Sequence, residues 1–431
     1  MKITVWGINY DPEPTGIGPF NTDLCAFLVE RGHDVTMLTT FPYYPWWKKP
    51  AEHQGKLYEQ RNLRGVRVQR CWHYVPAKPS TVKRLFHELS FLVTSTFRAL
   101  FMPAADVYIV VSPPLFLGMG AFFVSRIFRR PYVFHVQDLQ PDAALGLGML
   151  KQGNAVRALY ALERWSYHKA ALASGISRGM LDAFERKGIP DAKTYFFPNW
   201  IPDGARPANP QGASFRAANG ISPSTPLIAY SGNVGIKQGL EVVVEASALN
   251  QREGDGKPIH WAICGEGSAR ESLQRSIAQR QVPGVHLYPL QSDELYHSLL
   301  NEANICLITQ QRGTGQFFFP SKLLSILQYG RPVLAVADES SELARAVVEG
   351  RFGIVVPPGD GAALLRSVRT MLQADEAERA AWARNGRGWV DQFRRSRVLL
   401  EFEGRIGRLA GLVPQQPQQQ PEEAEAVERS A

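Results

Sequence analysis

Cysteine is scarce in this chain: there are four in 431 residues, at Cys25, Cys71, Cys264 and Cys306, and no two form a C-x-x-C pair. That spacing argues against a zinc site and against a disulfide framework, and it suits a reducing cytoplasm. Long apolar runs are missing as well. The opening MKITVWGINY has the pattern of a strand, so no signal peptide is expected, and PLFLGMGAFFVSRIF (residues 114–128) is too short and too broken to span a bilayer. There is no D-x-D pair at a strand end, no G-x-S-x-G elbow and no H-E-x-x-H helix. Any phosphate chemistry would then rest on side-chain cations and helix termini, and no protein-held metal is expected. The absence of a zinc finger, an RNP aromatic signature or a basic zipper argues against a nucleic-acid partner.

What the chain does have is the composition of a globular protein, 45% hydrophobic and 20% charged, and a length that suits two domains of roughly 200 residues each. Its net charge of +8 is unevenly placed: residues 1–200 carry 24 Lys/Arg against 15 Asp/Glu, and the remainder 24 against 25. A basic N-terminal half suits phosphorylated substrates or an anionic membrane surface, and sign alone does not choose between them. Along the chain, the strand Ile3–Trp6, a glycine-rich turn, the amphipathic NTDLCAFLVERGH and the strand DVTMLTT open a doubly wound sheet. Further strands are predicted at Val107–Val111, Tyr132–Val136 and Tyr195–Phe197. Residues 201–225, dense in Pro, Gly, Ser and Asn, read as a linker, after which the strand-helix alternation restarts at PLIAYSG. The Gln, Pro and Glu-rich residues 411–431 read as a disordered tail.

Candidate site residues fall where strands end. In YSGNVGIKQGL, Gly232, Gly235 and Gly239 permit close backbone approach to a ligand and Lys237 adds a charge; a plain strand-to-helix turn with a solvated lysine fits the same letters. Gly265 and Gly267 of CGEGSAR form a second such turn, which is either a nucleotide site or a tight connection. Ser321 is a good N-cap for a helix ending at Gly330, and Lys322 sits in its first turn, against the helix dipole, where an anion would favour it. In YVFHVQDLQPDAA, His135 lies inside a strand pattern and Asp138 just past its end; a strand histidine is commonly a satisfied core residue, yet this one ends a strand facing the cleft. Gly16 and Gly18 of PTGIGPF occupy the end of the first strand. One helical stripe holds Val82, Leu85, Phe86, Leu89, Leu92, Val93, Phe97, Leu100 and Phe101, which suits either a crossover helix packed on the sheet or an interfacial helix on a membrane. The aromatics of FPYYPWW suit sugar stacking, lipid contact or a packed loop.

Taken in order, GINYDPEPTGIG, FNTDLCAFLVERGHDVTMLT, FPYYP, HVQDLQPDAALGLG, FFPNW, YSGNVGIKQGLE and FPSKLLSILQYGRPVLAV resemble glycosyltransferase family 4, the retaining enzymes of the GT-B fold, and within it the exopolysaccharide branch that includes colanic-acid biosynthesis enzymes. The resemblance covers residues 1–408. It implies an α/β protein of two Rossmann-like, doubly wound domains facing a cleft: residues 1–200 on the acceptor side, 226–385 binding the nucleotide sugar, and a helix at 386–410 crossing back. It further implies that Gly16 and Gly18 line the donor diphosphate, that Lys237 clamps it, and that His135 contacts the transferred sugar. Asn233, Gly235, Gly265, Gly267, Ser321, Lys322, Leu323 and Ser325 are implied on the donor side. The chain departs from the family at Asn233, where many members carry an arginine, and at Phe317 and Ser325, where the family has two carboxylates. The implied reaction moves a hexosyl or deoxyhexosyl group from a UDP- or GDP-sugar to a lipid-linked oligosaccharide, without a cofactor, in the cytoplasm or peripherally at the inner face of the membrane. A sugar-nucleotide epimerase of the same fold and a non-catalytic nucleotide-sugar-binding protein remain alternatives.

Overall fold

The computed structural model describes residues 1–78, 80–142, 153–204, 214–253, 258–314 and 322–412; Phe317, Ser321 and residues 413–431 of the expected tail lie outside that set. Eight strands, β1 (Lys2–Trp6), β2 (Asp34–Thr40), β3 (Tyr58–Leu63), β4 (Val66–Cys71), β5 (Val107–Ser112), β6 (Tyr132–Val136), β7 (Leu172–Gly175) and β8 (Thr194–Phe196), form one sheet. Their order is β3-β4-β2-β1-β5-β6-β7-β8. Six more, β9 (Leu227–Ser231), β10 (His260–Cys264), β11 (Val285–Tyr288), β12 (Ile305–Thr309), β13 (Val333–Val336) and β14 (Gly353–Val356), form a second sheet in the order β11-β10-β9-β12-β13-β14. Among the described residues all pairs are parallel except β3 with β4. The central strands β5 and β6 are buried along their whole length, as strands covered by helices on both faces must be.

In each sheet the strand order reverses beside the first strand, between β1 and β5 and between β9 and β12. Ligands of such sheets sit in the crevice at that reversal, outside the carboxyl ends of the strands. The topology therefore brings the loop after β1, with Gly16, and the loop after β9, with Lys237, to the two crevices.

Two local expectations need correction, and one element was not anticipated. The hairpin β3–β4 has no sequence reading behind it, because its turn is Arg64-Gly65, both at positive φ (51° and 84°), in place of the Asn-Gly that usually marks such a turn. The span 201–225 is not all linker: Phe215, in the helix Phe215–Ala218, is fully buried in the C-terminal core, and the Arg216 guanidinium donates to the carbonyls of Ser222 and Thr225. Its Pro and Gly content marked turns and concealed core anchors, since Ile201 and Ile221 are buried in the same cluster. The expected helix over 386–410 is two helices. Glu376–Val390 stays with the C-terminal core, and the chain then crosses through backbone bonds between Ile201 and both Phe393 and Arg395 (2.9 and 2.8 Å). Arg395–Leu409 lies on the N-terminal domain, where Phe402 stacks on Phe197 at 3.8 Å and Glu403 pairs with Arg31 and His33. No Gly or Pro marks the break. It is set by the crossing chain.

The domains also meet near the cleft. Glu342 accepts the amides of Arg178 and Gly179 (3.1 and 2.8 Å), capping a helix of the other domain, and Arg345 pairs with Asp182.

Candidate active site

The C-terminal wall of the cleft is built from two glycine loops lying backbone on backbone. The Gly232 amide donates to Cys264 O (2.9 Å), that of Val234 to Glu266 O (2.8 Å) and that of Ala269 back to Val234 O (2.9 Å). A Cβ on Gly265, at φ +150°, would lie 2.9 Å from the Gly232 carbonyl carbon and closer still to its oxygen; one on Gly267, at φ +158°, would meet the Val234 carbonyl and the Asn233 side-chain oxygen. The first physical role of Gly265 and Gly267 is therefore to let the β10 loop support the β9 loop. Asn233 is exposed, with its side-chain amide over Gly235 and Gly267 and its backbone carbonyl accepting from the Tyr230 hydroxyl (2.7 Å). The Gly235 amide is engaged inside the loop by Gln238 Oε1 (3.1 Å).

Two cations flank this loop. Lys322 opens the helix Lys322–Gln328, and its ammonium lies 4.1 Å from the centre of the Tyr230 ring and against Gly232, where a Cβ would stand 2.7 Å from Nζ. Burial pulls its pKa down to about 8, and among the described residues no carboxylate is close enough to oppose that fall. A buried ammonium without a counter-charge favours an anionic ligand. Lys237, half-buried in the turn Ile236–Gln238, is lowered by burial and raised in part by Asp138. Two neighbouring donor candidates point elsewhere: the Leu323 side chain is fully buried in the core, leaving only its backbone to a ligand, and Ser325 hydrogen-bonds Tyr296 within its own domain.

On the N-terminal wall, Gly16 adopts φ +69°, whereas Gly18 is helical and owes its lack of a side chain to Glu13, whose carbonyl oxygen would be 3.0 Å from a Cβ. Glu13 itself, which sequence reasoning passed over, is 4% exposed and accepts from the amides of Tyr43 and Tyr44 (2.9 Å each) and from Asn9 Nδ2 (2.6 Å). It ties the β1 loop to the β2 loop. Burial raises its pKa despite these three donors. His135 is 3% exposed, with Nδ1 beside Ser174 Oγ (3.0 Å) and Nε2 beside the Gln137 amide (2.9 Å), and Gln137 pairs reciprocally with Asn199. Burial pulls the ring down to about 3, so it is neutral, and a donating Gln137 assigns the proton to Nδ1. Both ring nitrogens are thus occupied by neighbouring side chains, next to the end of β6. Burial raises the carboxyl of Asp138, next in the chain after Gln137, to about 6, and the charge of Lys237 opposes that rise. Among the described residues no cluster of three His, Cys, Asp or Glu side chains could hold a metal ion.

Two parallel-sheet domains meeting over such a cleft make this a GT-B fold. Solved structures that share it include sucrose-phosphate synthase from Thermosynechococcus elongatus (17% identical, covering 96% of this chain and 100% of that one, TM-score 0.71) and the Anabaena protein HepE in complex with UDP-glucose (15%, 95% and 100%, TM-score 0.65). Residues 15–200 match the family described as a glycosyl transferase 4-like domain, and residues 213–389 the glycosyl transferases group 1. A protein of Escherichia coli (strain K12) named as the colanic acid biosynthesis glycosyl transferase WcaI is 35% identical over 381 residues, 86% of this chain and 92% of the relative. The chain belongs to this family of glycosyltransferases.

Proposed function

We propose that the enzyme transfers a hexosyl or deoxyhexosyl group, with retention, from a UDP- or GDP-sugar to a lipid-linked oligosaccharide in exopolysaccharide synthesis. The observation that carries this reading is the pairing of Lys322, desolvated against Tyr230 and without a carboxylate beside it among the described residues, with Lys237 around the Gly232 loop. A diphosphate lying on that loop would take one cation at each end, and UDP-glucose in the HepE structure supports the donor class. As the bond from the anomeric carbon to the diphosphate oxygen breaks, negative charge grows on that oxygen and the two ammonium groups stabilise it. The acceptor hydroxyl attacks from the same face, and its proton passes to the departing diphosphate. Gly16 would admit the diphosphate from the N-terminal wall, and the neutral His135 would hold the end of β6 that borders the sugar.

A surface on the N-terminal domain supports a lipid-linked acceptor and a peripheral place at the inner face of the membrane. The helix Thr81–Leu100 buries His87, Phe91, Thr94, Ser95 and Ala99 and turns Val82, Phe86, Val93 and Phe97 to solvent, each at least 56% exposed. Leu92 and Leu100 of the same stripe pack against the N-terminal core, so the helix rests on its own domain and leaves these four side chains open. The adjacent helix Leu117–Phe128 exposes Phe123 and Ile127 beside Arg126, Arg129 and Arg130. Apolar side chains rimmed by basic ones suit an anionic bilayer. No helix among the described residues is long and apolar enough to cross a membrane.

The test is a screen of UDP- and GDP-sugars with membrane extract as acceptor, read by product mass and anomeric configuration. A glycosylated lipid of retained configuration is expected, with turnover lowered by a large factor in Lys237→Ala. Release of an altered free sugar nucleotide would identify an epimerase. Donor binding without any product would identify a binding protein, and unimpaired transfer by Lys237→Ala would remove the clamp.

A further inference from the structure

His135 has no hydrogen-bonding capacity left for a ligand. A neutral imidazole offers one donor and one acceptor, and here Nδ1 is taken by Ser174 Oγ (3.0 Å) and Nε2 by the Gln137 amide (2.9 Å). The polar group with capacity to spare is Asn199. Its amide forms a reciprocal pair with that of Gln137, Gln137 Nε2 donating to Asn199 Oδ1 and Asn199 Nδ2 to Gln137 Oε1 (3.1 Å each). The pair uses one of the two N–H groups of Asn199 and one of its two acceptor positions, whichever way the two amides are turned. Among the described residues Asn199 has no other hydrogen-bond partner, so one N–H and one lone pair remain. Gln137 is 6% exposed and His135 3%, whereas Asn199 is only half-buried. Gln137 directly follows β6 and Asn199 lies three residues past β8, on the carboxyl side of the sheet where the crevice opens. Two residues further on, the Ile201 amide bonds to Phe393 O (2.9 Å) and the chain crosses between the domains, which puts Asn199 at the floor between the two walls. Its flanks are fixed: the Phe197 ring stacks on Phe402 (3.8 Å) and the Trp200 indole donates to Asp23 (2.6 Å).

Resting on the donor reading given above, we propose that Asn199, in place of His135, is the side chain that recognises a hydroxyl of the transferred sugar, a specificity-determining residue held in position by Gln137. The unused N–H donates to a sugar oxygen and the unused lone pair accepts from a sugar hydroxyl, and a hydroxyl can satisfy either. Gln137 cannot swing to the ligand itself, because both of its N–H positions are spent on His135 and Asn199. His135 and Ser174 thus act at one remove, by fixing the amide that fixes Asn199. A sugar lacking the matching hydroxyl would leave the half-buried amide unpaired, and that penalty is what makes such a contact selective.

The experiment is calorimetric titration of the full chain with UDP, GDP and the UDP- and GDP-sugars of the screen, using wild type, Asn199→Ala and Asn199→Ser, followed by monodeoxy analogues of the sugar nucleotide that binds. Asn199→Ala is expected to weaken the sugar nucleotide about tenfold while changing the nucleoside diphosphate by less than about twofold. In wild type one monodeoxy analogue should bind about tenfold more weakly than its parent. In Asn199→Ala that same analogue should bind as its parent does, a coupling that a general loosening of the fold would not produce. Asn199→Ser keeps a small polar side chain in case the alanine variant fails to fold, and its shorter hydroxyl should give the same result. Equal losses for diphosphate and sugar nucleotide would overturn the inference, as would deoxy penalties that persist in the variants. Undiminished sugar-nucleotide affinity with weaker use of the acceptor would also overturn it, by placing Asn199 on the acceptor. If wild type binds a sugar nucleotide and the variants leave that affinity alone, only this inference falls; if wild type binds no sugar nucleotide, the donor reading falls with it.

Discussion

The sharpest stress on the donor wall comes from one methyl group, that of Gly265→Ala. The new Cβ would stand 2.9 Å from the Gly232 carbonyl carbon, where ordinary contact begins at 3.4 Å, so that carbon must retreat by about 0.5 Å (3.4 less 2.9) and the nearer oxygen by more. Both clashing atoms are backbone, so no side-chain rotation gives relief. Retreat also strains the bond from the Gly232 amide to Cys264 O. If the loop stays in place, overpacking costs about 1–3 kcal/mol and a non-glycine residue at φ +150° about 1–3 kcal/mol more. If it yields, Gly232 shifts on the order of 1 Å relative to Lys322, a misplacement of the size that costs about 100-fold in a bound reaction. Gly188→Ala is the control: its φ is +80° but a Cβ there meets nothing within 4 Å, so it carries only the strain of about 1–2 kcal/mol. Urea unfolding measures the stability of each variant, and titration with the donor's nucleoside diphosphate measures the site. Gly265→Ala is expected to lose more stability than the control and to weaken nucleotide binding strongly, while Gly188→Ala leaves binding alone. Equal nucleotide affinity in the two variants would refute the stacked-loop account of the clamp.

Two more predictions follow from the same geometry. Because burial pulls Lys322 down to about 8 and its ammonium must be charged to hold phosphate, nucleoside diphosphate affinity should fall by up to about tenfold per unit as pH rises above 8, and Lys322→Arg, which stays charged, should lose that limb; a limb that persists in the arginine variant would assign it to another group. The double variant Phe97→Asp, Phe123→Asp alters only exposed rings and should keep the fold and soluble-donor binding while losing at least about tenfold in sedimentation with vesicles of anionic lipid; undiminished sedimentation would detach that face from the membrane.

Much of the fold could be read along the chain, because a buried parallel strand announces itself locally. The apolar runs of β2, β6 and β12 have the boundaries their letters suggest, and the switch to helical spacing after each is equally local. The cleft residues were visible to the same degree: Lys237, Lys322 and the glycines mark themselves by residue type at strand ends. Their partners did not. Glu13 looks like any acidic loop residue until Tyr43 and Tyr44 donate to it from thirty residues away. The stripe from Val82 to Phe101 has one periodicity whether it faces a sheet or solvent, and only the packing shows that His87, Phe91 and Ser95 went inward while Val82, Phe86, Val93 and Phe97 stayed exposed.

The sequence by itself determined that this is a two-domain α/β protein with glycine turns and cations at its strand ends, since hydrophobic period and turn chemistry act over a few residues. Tertiary structure alone decided that Gly265 and Gly267 support the β9 loop, that His135 is sealed between Ser174 and Gln137, and that Glu13 ties the β1 loop to the β2 loop. Those relations join residues far apart in the chain, and their energies depend on burial and on distances that no local pattern of letters contains.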